Sequence, residues 1–257
     1  MVRIKIQRET HKRGVGENES FLFPVGKIDQ LTIYPMTFDE FLLNINEVLF
    51  EKIKEAYVNR MPLDFNVHEL GMEQVYKYLL VGGMPEAVNA YIEDGELLES
   101  RKILQVFYDN YLSDMELYQA SRESILRSRA LFKNIYRELS RETKNFSPGL
   151  IEENSKTRDY ATALQWLTMA HMVHTSFQLK EHVTMPLMKD DGGNFRLFLG
   201  DMGMFSYQSG LNAASFVSAE RENVLSGIFF ENFVAEELVA KGHSLFYWKG
   251  KSSAELE

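Results

Sequence analysis

The chain of 257 residues contains no cysteine. This absence excludes disulfides and thiolate-ligated metal sites, and it fits a protein of a reducing compartment. No apolar run approaches the roughly 18 residues of a membrane-spanning helix, and the residues after Met1 do not have the pattern of a signal peptide. Together these absences predict a cytoplasmic protein that does not associate with a membrane.

The residues that are present can build a core, since 45% of them are apolar and 12% aromatic. The formal net charge is −9, which argues against a protein that coats nucleic acid over its whole surface. A local basic surface is still compatible with that charge. We find no internal repeat or low-complexity tract, so composition alone predicts an ordinary globular chain.

The clearest turn signal is Gly82-Gly83, which follows a helical apolar stripe and precedes Pro85. Paired glycines suit the left-handed turn after a helix end. Proline suits the first turn of the next helix, where its missing N–H would have no partner anyway. We expect a hinge between two helices at Gly82, Gly83 and Pro85. Without further context, this signal is typical of a plain joint between helices.

Helices are also predicted on both sides of the hinge. Thr37 with Glu40 forms a capping box, and Met36 with Phe41 forms a hydrophobic staple. The predicted elements are a strand over Ile28–Tyr34 and helices over Glu47–Arg60, from Asn66 to the hinge, over Pro85–Asp94 and over Glu96–Tyr118.

A helix from about Ser124 to Lys144 carries a basic stripe opposite its apolar face. The stripe consists of Arg122, Arg129, Lys133, Arg137, Arg141 and Lys144. A solvated helix face is the ordinary interpretation of such charge. The functional alternative is a docking surface for the DNA backbone, a nucleotide phosphate or an acidic domain.

After Phe146 the pattern changes to short elements. Ser147-Pro148 opens one helix, Thr157 caps a second, and strands over Met172–Leu179 and Phe195–Leu199 follow, which is the order of a winged helix. Its second helix carries Arg158 and little other basic charge, so we weigh DNA readout against a packing role.

The remaining segments give no metal site. His171 and His174 have the spacing of a metal pair, but no third ligand accompanies them. Asp201 is predicted to cap a short helix. A long helix over Val217–Ala240, with Glu231 near its middle, and a strand over Ser244–Trp248 complete the pattern.

Six segments together resemble a bacterial and archaeal family of AAA-type ATPases whose C-terminal part is an uncharacterised, restriction-endonuclease-like domain. They are Phe23–Leu42, Gly82–Tyr91, Arg158–Leu167, Phe195–Phe205, Phe229–Leu238 and Leu245–Glu255. The resemblance implies that the glycine hinge belongs to a helical lid-like region and that the chain ends in a nuclease-like fold.

The sequence lacks the catalytic parts of that family. No G-x-x-x-x-G-K-[ST] motif occurs: Gly26-Lys27 is followed by Ile28, and no Walker B strand is found. ATP and Mg²⁺ are therefore expected only for a full-length relative. Glu231 and Glu257 stand as vestiges of a nuclease-like site whose acid-x-Lys strand is absent, so we predict no catalytic residue, cofactor or metal in this chain.

The sequence thus predicts a mainly α fold with small β parts: a helical lid-like region, a winged helix and an incomplete α/β nuclease-like tail. The predicted divisions are a poorly ordered segment 1–20, then 21–145, 146–216 and 217–257.

The predicted function is a regulatory, partner-binding portion of an AAA-family ATP-binding protein, whose partner is the missing ATPase core or another protein. The alternative is a nucleic-acid-binding module that uses the basic helix and the winged helix. We make no prediction of the oligomeric state.

Overall fold

The computed structural model describes residues 32–119, 121–183, 185–211, 227–250 and 255–256. The segment 1–20 and Glu257 lie outside these residues, as do most of the strand predicted over Ile28–Tyr34 and the first turns of the helix predicted over Val217–Ala240.

The described chain is mainly α-helical, which confirms the predicted fold class. The helices are α1 (Phe38–Ile45), α2 (Glu47–Asn59), α3 (Phe65–Val81), α4 (Pro85–Asp94), α5 (Leu97–Tyr118), α6 (Arg122–Leu139), α7 (Ala161–Met169), α8 (Met202–Gln208) and α9 (Gly227–Ala240). Two 3₁₀ turns cover Pro148–Leu150 and Thr157–Tyr160. None of the described helices combines the length and the apolarity needed to cross a bilayer.

The β part is one small sheet in the order β2-β1-β3-β4. Its strands are β1 (Val173–Gln178), β2 (Phe195–Leu199), β3 (Phe246–Lys249) and β4 (Glu255–Leu256). β1 pairs with β2 antiparallel and with β3 in parallel, Phe177 opposite Phe246. The predicted winged-helix segment and the predicted nuclease-like tail therefore contribute to the same sheet, and residues from Pro35 onward form one compact unit.

Several local predictions are confirmed and others need correction. Thr37 and Glu40 form the predicted capping box of α1. The cap of α3 is Asp64, whose carboxylate accepts the N–H of Asn66 at 2.9 Å, so Asn66 lies inside the helix. The basic helix ends at Leu139 instead of Lys144, where the hydroxyl of Ser140 bonds back to the carbonyl of Tyr136 at 2.7 Å.

The elements before β1 are also shorter than predicted. The segment opened by Ser147-Pro148 is a three-residue 3₁₀ turn and not an α-helix. Thr157 does not cap the next helix: the carboxylate of Asp159 accepts the N–H of Lys156 at 2.7 Å and starts a 3₁₀ turn that leads into α7.

One continuous core joins the helices to the sheet. Phe41 of α1, Tyr78 of α3 and Phe229 of α9 are fully buried within it, together with Phe205 of α8. The rings of Phe205 and Phe229 meet edge to face at 5.1 Å. Among the described helices α2 departs from this arrangement, because Leu49 is its single buried residue.

Candidate functional site

The predicted hinge is present, and it is a fixed joint. α3 ends at Gly82, whose φ of 74° requires glycine and whose N–H donates to the carbonyl of Tyr78 at 2.7 Å. α4 begins at Pro85. The N–H of Gly83 donates to the Asp201 carboxylate at 2.8 Å, and its carbonyl accepts the N–H of Met36 at 2.7 Å.

Neither glycine leaves room for a side chain. A Cβ on Gly82 would lie 2.3 Å from the backbone nitrogen of Gly203, and one on Gly83 would lie 2.2 Å from the carbonyl oxygen of Met36. The segment before α1, the α3–α4 joint and the start of α8 thus meet backbone to backbone. Three stretches far apart in sequence depend on this one contact.

Asp201 binds the joint from the N-terminus of α8. Its two oxygens accept the N–H groups of Met204 and Gly83, each at 2.8 Å, so the predicted cap is confirmed. The side chain is almost completely buried. This burial raises the pKa of Asp201, and the hydrogen bonds from the two backbone N–H groups oppose that shift.

A second buried acid, Glu236 of α9, completes the joint. Its Oε1 lies 3.3 Å from the hydroxyl of Tyr78, which lies 2.7 Å from the carbonyl oxygen of Met36. Burial raises the pKa of Glu236 well above its usual range, and the nearby carboxylates of Asp201 and Glu237 add to the shift. Glu237 itself accepts the N–H of Phe38 at 2.6 Å.

We call the residues Met36, Tyr78, Gly82, Gly83, Asp201, Gly203 and Glu236 the acidic joint. Four of the six segments that carry the family resemblance contribute to it. Most of its polar side-chain atoms are paired inside the protein, which suits it to hold elements in position, whereas Glu236 Oε2 is buried without a hydrogen-bond partner among the described residues. The part of the chain that the structure describes also holds no group of three residues that could bind a metal ion.

The sequence indicated the two glycines as site residues and Asp201 only as a helix cap, and it did not indicate Tyr78 or Glu236. Tyr78 looked like one more member of an apolar stripe. Glu236 lies on the buried face of α9 with Phe229 and Asn232, whereas Leu238 is 38% exposed. The sequence signal that could have revealed Glu236 is an acidic residue at a position of this helix that lies on the same face as buried residues.

Three of the six residues in the predicted basic stripe contact other residues of the protein. Arg129 donates to the carbonyl of Leu112 at 2.8 Å and pairs with Glu116 at 2.7 Å. Beyond the end of α6, Lys144 pairs with Glu231, and Arg141 lies 3.8 Å from Glu138.

The other half faces solvent. Arg122, Lys133 and Arg137 are exposed and hold no ion pair with any residue of the described ranges. Arg158, in the 3₁₀ turn before α7, is also exposed and lies 3.8 Å from Asp159. The candidate phosphate-binding surface therefore reduces to three side chains on α6.

Glu231 has no catalytic surroundings in the described chain. Its carboxylate is paired with Lys144, and it lines a largely apolar cavity of about 370 Å³ between α9 and the sheet. Its predicted companion, Glu257, lies outside the described residues. The histidine pair is split as well, since His174 is buried in β1 while His171 occupies the turn before that strand.

The α2–α3 hairpin has an exposed apolar surface, which we call the hairpin surface. Tyr57 is 84% and Phe65 73% exposed, and Val48, Val58 and Met61 are each more than half exposed. A groove of about 470 Å³ runs between the two helices. Large exposed apolar side chains are typical of a surface that binds another protein.

Comparison with known proteins identifies the chain at the level of a family. No curated protein and no solved structure matches it. Residues 72–215 match the model of a family described as "Domain of unknown function (DUF8612)", and this region includes the two glycines of the hinge and Asp201. Because the match covers more than half of the length of the chain, the chain belongs to this family.

Proposed function

We propose that this chain is a non-catalytic, partner-binding module that acts with an AAA-type ATP-binding domain in the cytoplasm. The observation that carries the proposal is the hairpin surface, in which Tyr57 is 84% exposed near the end of α2 and Phe65 is 73% exposed at the start of α3. The resemblance to the AAA-type family supplies the class of partner.

The described residues of the glycine hinge do not fit a nucleotide. A phosphate-binding loop needs free backbone N–H groups next to a lysine and a hydroxyl residue. At the glycine hinge, the N–H of Gly82 is bound by Tyr78 and that of Gly83 by Asp201. ATP and Mg²⁺ would therefore be held by the partner, and this chain would contribute contacts and position.

The direct test measures the affinity of the purified chain for a P-loop domain taken from the AAA-type family that it resembles. We expect binding that weakens at least about tenfold in the double variant Tyr57→Ser with Phe65→Ser, because large aromatic side chains dominate protein interfaces. The matched control is Leu117→Ser, which removes a side chain that is 75% exposed on α5. No binding by the wild type, or equal loss in the control, would reject the proposal.

A second candidate function is nucleic-acid binding by α6, since Arg122, Lys133 and Arg137 are exposed and unpaired among the described residues. Binding through phosphates predicts an affinity for duplex DNA that falls steeply with salt. Reversing these three residues to Glu should abolish it. Arg129 is left unchanged because it holds α5.

The control for this test reverses three exposed basic residues elsewhere, by Lys52→Glu, Arg60→Glu and Lys102→Glu. It gives the same change in net charge away from α6. If both triple variants lose affinity equally, the contact is a general charge effect and α6 is not the binding surface.

A further inference from the structure

The contact between Glu236 and Tyr78 requires a particular placement of protons. The Tyr78 hydroxyl has one proton to donate. Its oxygen lies 2.7 Å from the Met36 carbonyl oxygen, which can only accept, and 3.3 Å from Glu236 Oε1. The shorter contact takes the Tyr78 proton. A protonated Glu236 can donate in the longer contact, whereas an ionised Glu236 competes with the Met36 carbonyl for the single Tyr78 proton.

The surroundings favour that neutral form. Tyr78 faces Glu236 from α3 and Asp201 from the cap of α8, while Glu237 follows it on α9. Asp201 accepts the N–H groups of Gly83 and Met204, whereas a single backbone N–H, that of Met202, favours the ionised form of Glu236, so Asp201 is the member of the buried pair better able to hold a negative charge. Lys241, the nearby cation of α9, pairs at the surface with Glu237 and Asp39. Glu236 has no ion pair with any described cation.

We propose that Glu236, Tyr78 and Met36 form a proton-dependent latch that fastens the segment leading into α1. With its proton, Glu236 donates to Tyr78, and Tyr78 donates to the Met36 carbonyl. When Glu236 loses the proton, it becomes an acceptor that competes for the Tyr78 hydrogen, and it places a second carboxylate beside Asp201. The Met36 carbonyl then loses its donor, and the segment that carries Met36 and Phe38 opens.

This inference goes beyond the proposed function and does not depend on it. It has a quantitative consequence. If the closed latch keeps a proton that the open latch releases, the opening equilibrium rises about tenfold per pH unit. The rise begins near the ordinary pKa of glutamate and ends at the raised pKa of Glu236 in the folded protein.

The test follows amide hydrogen exchange of residues 35–45 in the full chain from about pH 5 to about pH 9, corrected for the intrinsic pH dependence of exchange. In parallel, NMR of ¹³C-glutamate-labelled protein follows each glutamate carboxyl. In the wild type we expect one carboxyl to titrate above the ordinary range, with protection of residues 35–45 falling as the pH rises toward that titration and levelling off above it. In Glu236→Gln both signals should disappear, and in the exposed control Glu69→Gln both should remain.

A second variant keeps the inference testable if Glu236→Gln does not fold. In Tyr78→Phe the buried carboxyl should still titrate high, because burial is unchanged, but the Met36 carbonyl has no donor at any pH, so residues 35–45 should exchange faster than in the wild type already at about pH 5, where the wild-type latch is closed. The latch is disproved if every wild-type glutamate titrates in the ordinary range. It is equally disproved if opening changes less than about twofold over the interval, where the linkage requires about tenfold per unit.

Discussion

At the scale of single residues, Gly83 shows how the acidic joint depends on the absence of a side chain. Gly83→Ala would place a Cβ against the Met36 carbonyl, a backbone atom already bound by Tyr78. We expect a loss of about 3 kcal/mol in the free energy of unfolding, measured by urea denaturation. Gly149→Ala is the control, because nothing lies within 4 Å of its added Cβ. Equal stability of the two variants would contradict the close packing of the joint.

His174 gives the chain a sensitivity to acid. Burial in β1 lowers its pKa to about 4 from the ordinary histidine value of 6.5, with His171 adding to the shift. The unfolded chain therefore binds a proton between these values while the folded chain does not, so stability falls as the pH drops through this window. From pH 7 to pH 5 we expect a loss of about 2 kcal/mol from this residue.

The measurement is urea unfolding at both pH values for the wild type and for His174→Gln, which should lack this part of the loss. His68→Gln removes an exposed histidine and should behave like the wild type. An unchanged pH dependence in His174→Gln would show that another group is responsible.

At the scale of elements, α6 is held to α5 by a residue that the sequence assigns to a binding surface. Arg129→Ala removes the hydrogen bonds to Leu112 and the pair with Glu116. We expect a loss of about 2 kcal/mol in unfolding free energy, since hydrogen bonds from a charged donor stabilise more than neutral ones. Lys133→Ala, one turn further along α6, should change stability by less than about 0.5 kcal/mol. A similar effect of both substitutions would mean that the two side chains have equivalent roles.

Local sequence patterns predicted the positions of helices and strands better than they predicted which of these elements pack together. Gly82 and Pro85 mark a helix end and a helix start by backbone geometry alone, and β1 and β2 follow from short apolar runs. The end of α6 was missed because Arg141 and Lys144 continue the basic spacing past Leu139. Charge periodicity cannot reveal where the hydrogen-bonded backbone stops.

The acidic joint was predictable only in part, for the same reason. Asp201 has a local role as a cap, so its position before α8 is visible in the sequence. Glu236 and Tyr78 are separated by 158 residues, and their contact depends on how α3 and α9 pack. Likewise, nothing local pairs Lys144 with Glu231.

At the scale of the whole molecule, the residues from Pro35 onward should unfold together. The parallel pairing of β1 with β3 and the continuous core cross the predicted boundaries at 145 and 216. We expect far-ultraviolet and near-ultraviolet circular dichroism to report one coincident thermal transition, as in a two-state domain. Two separate transitions would show that these segments are independent domains after all.

At the same scale, we propose that this chain works by binding a partner through the hairpin surface. The most direct test is hydrogen exchange of the chain with and without an AAA-type P-loop domain at saturating concentration. We predict new protection over residues 47–70, with α6 unchanged. Protection confined to α6, or none anywhere in the chain, would contradict the account.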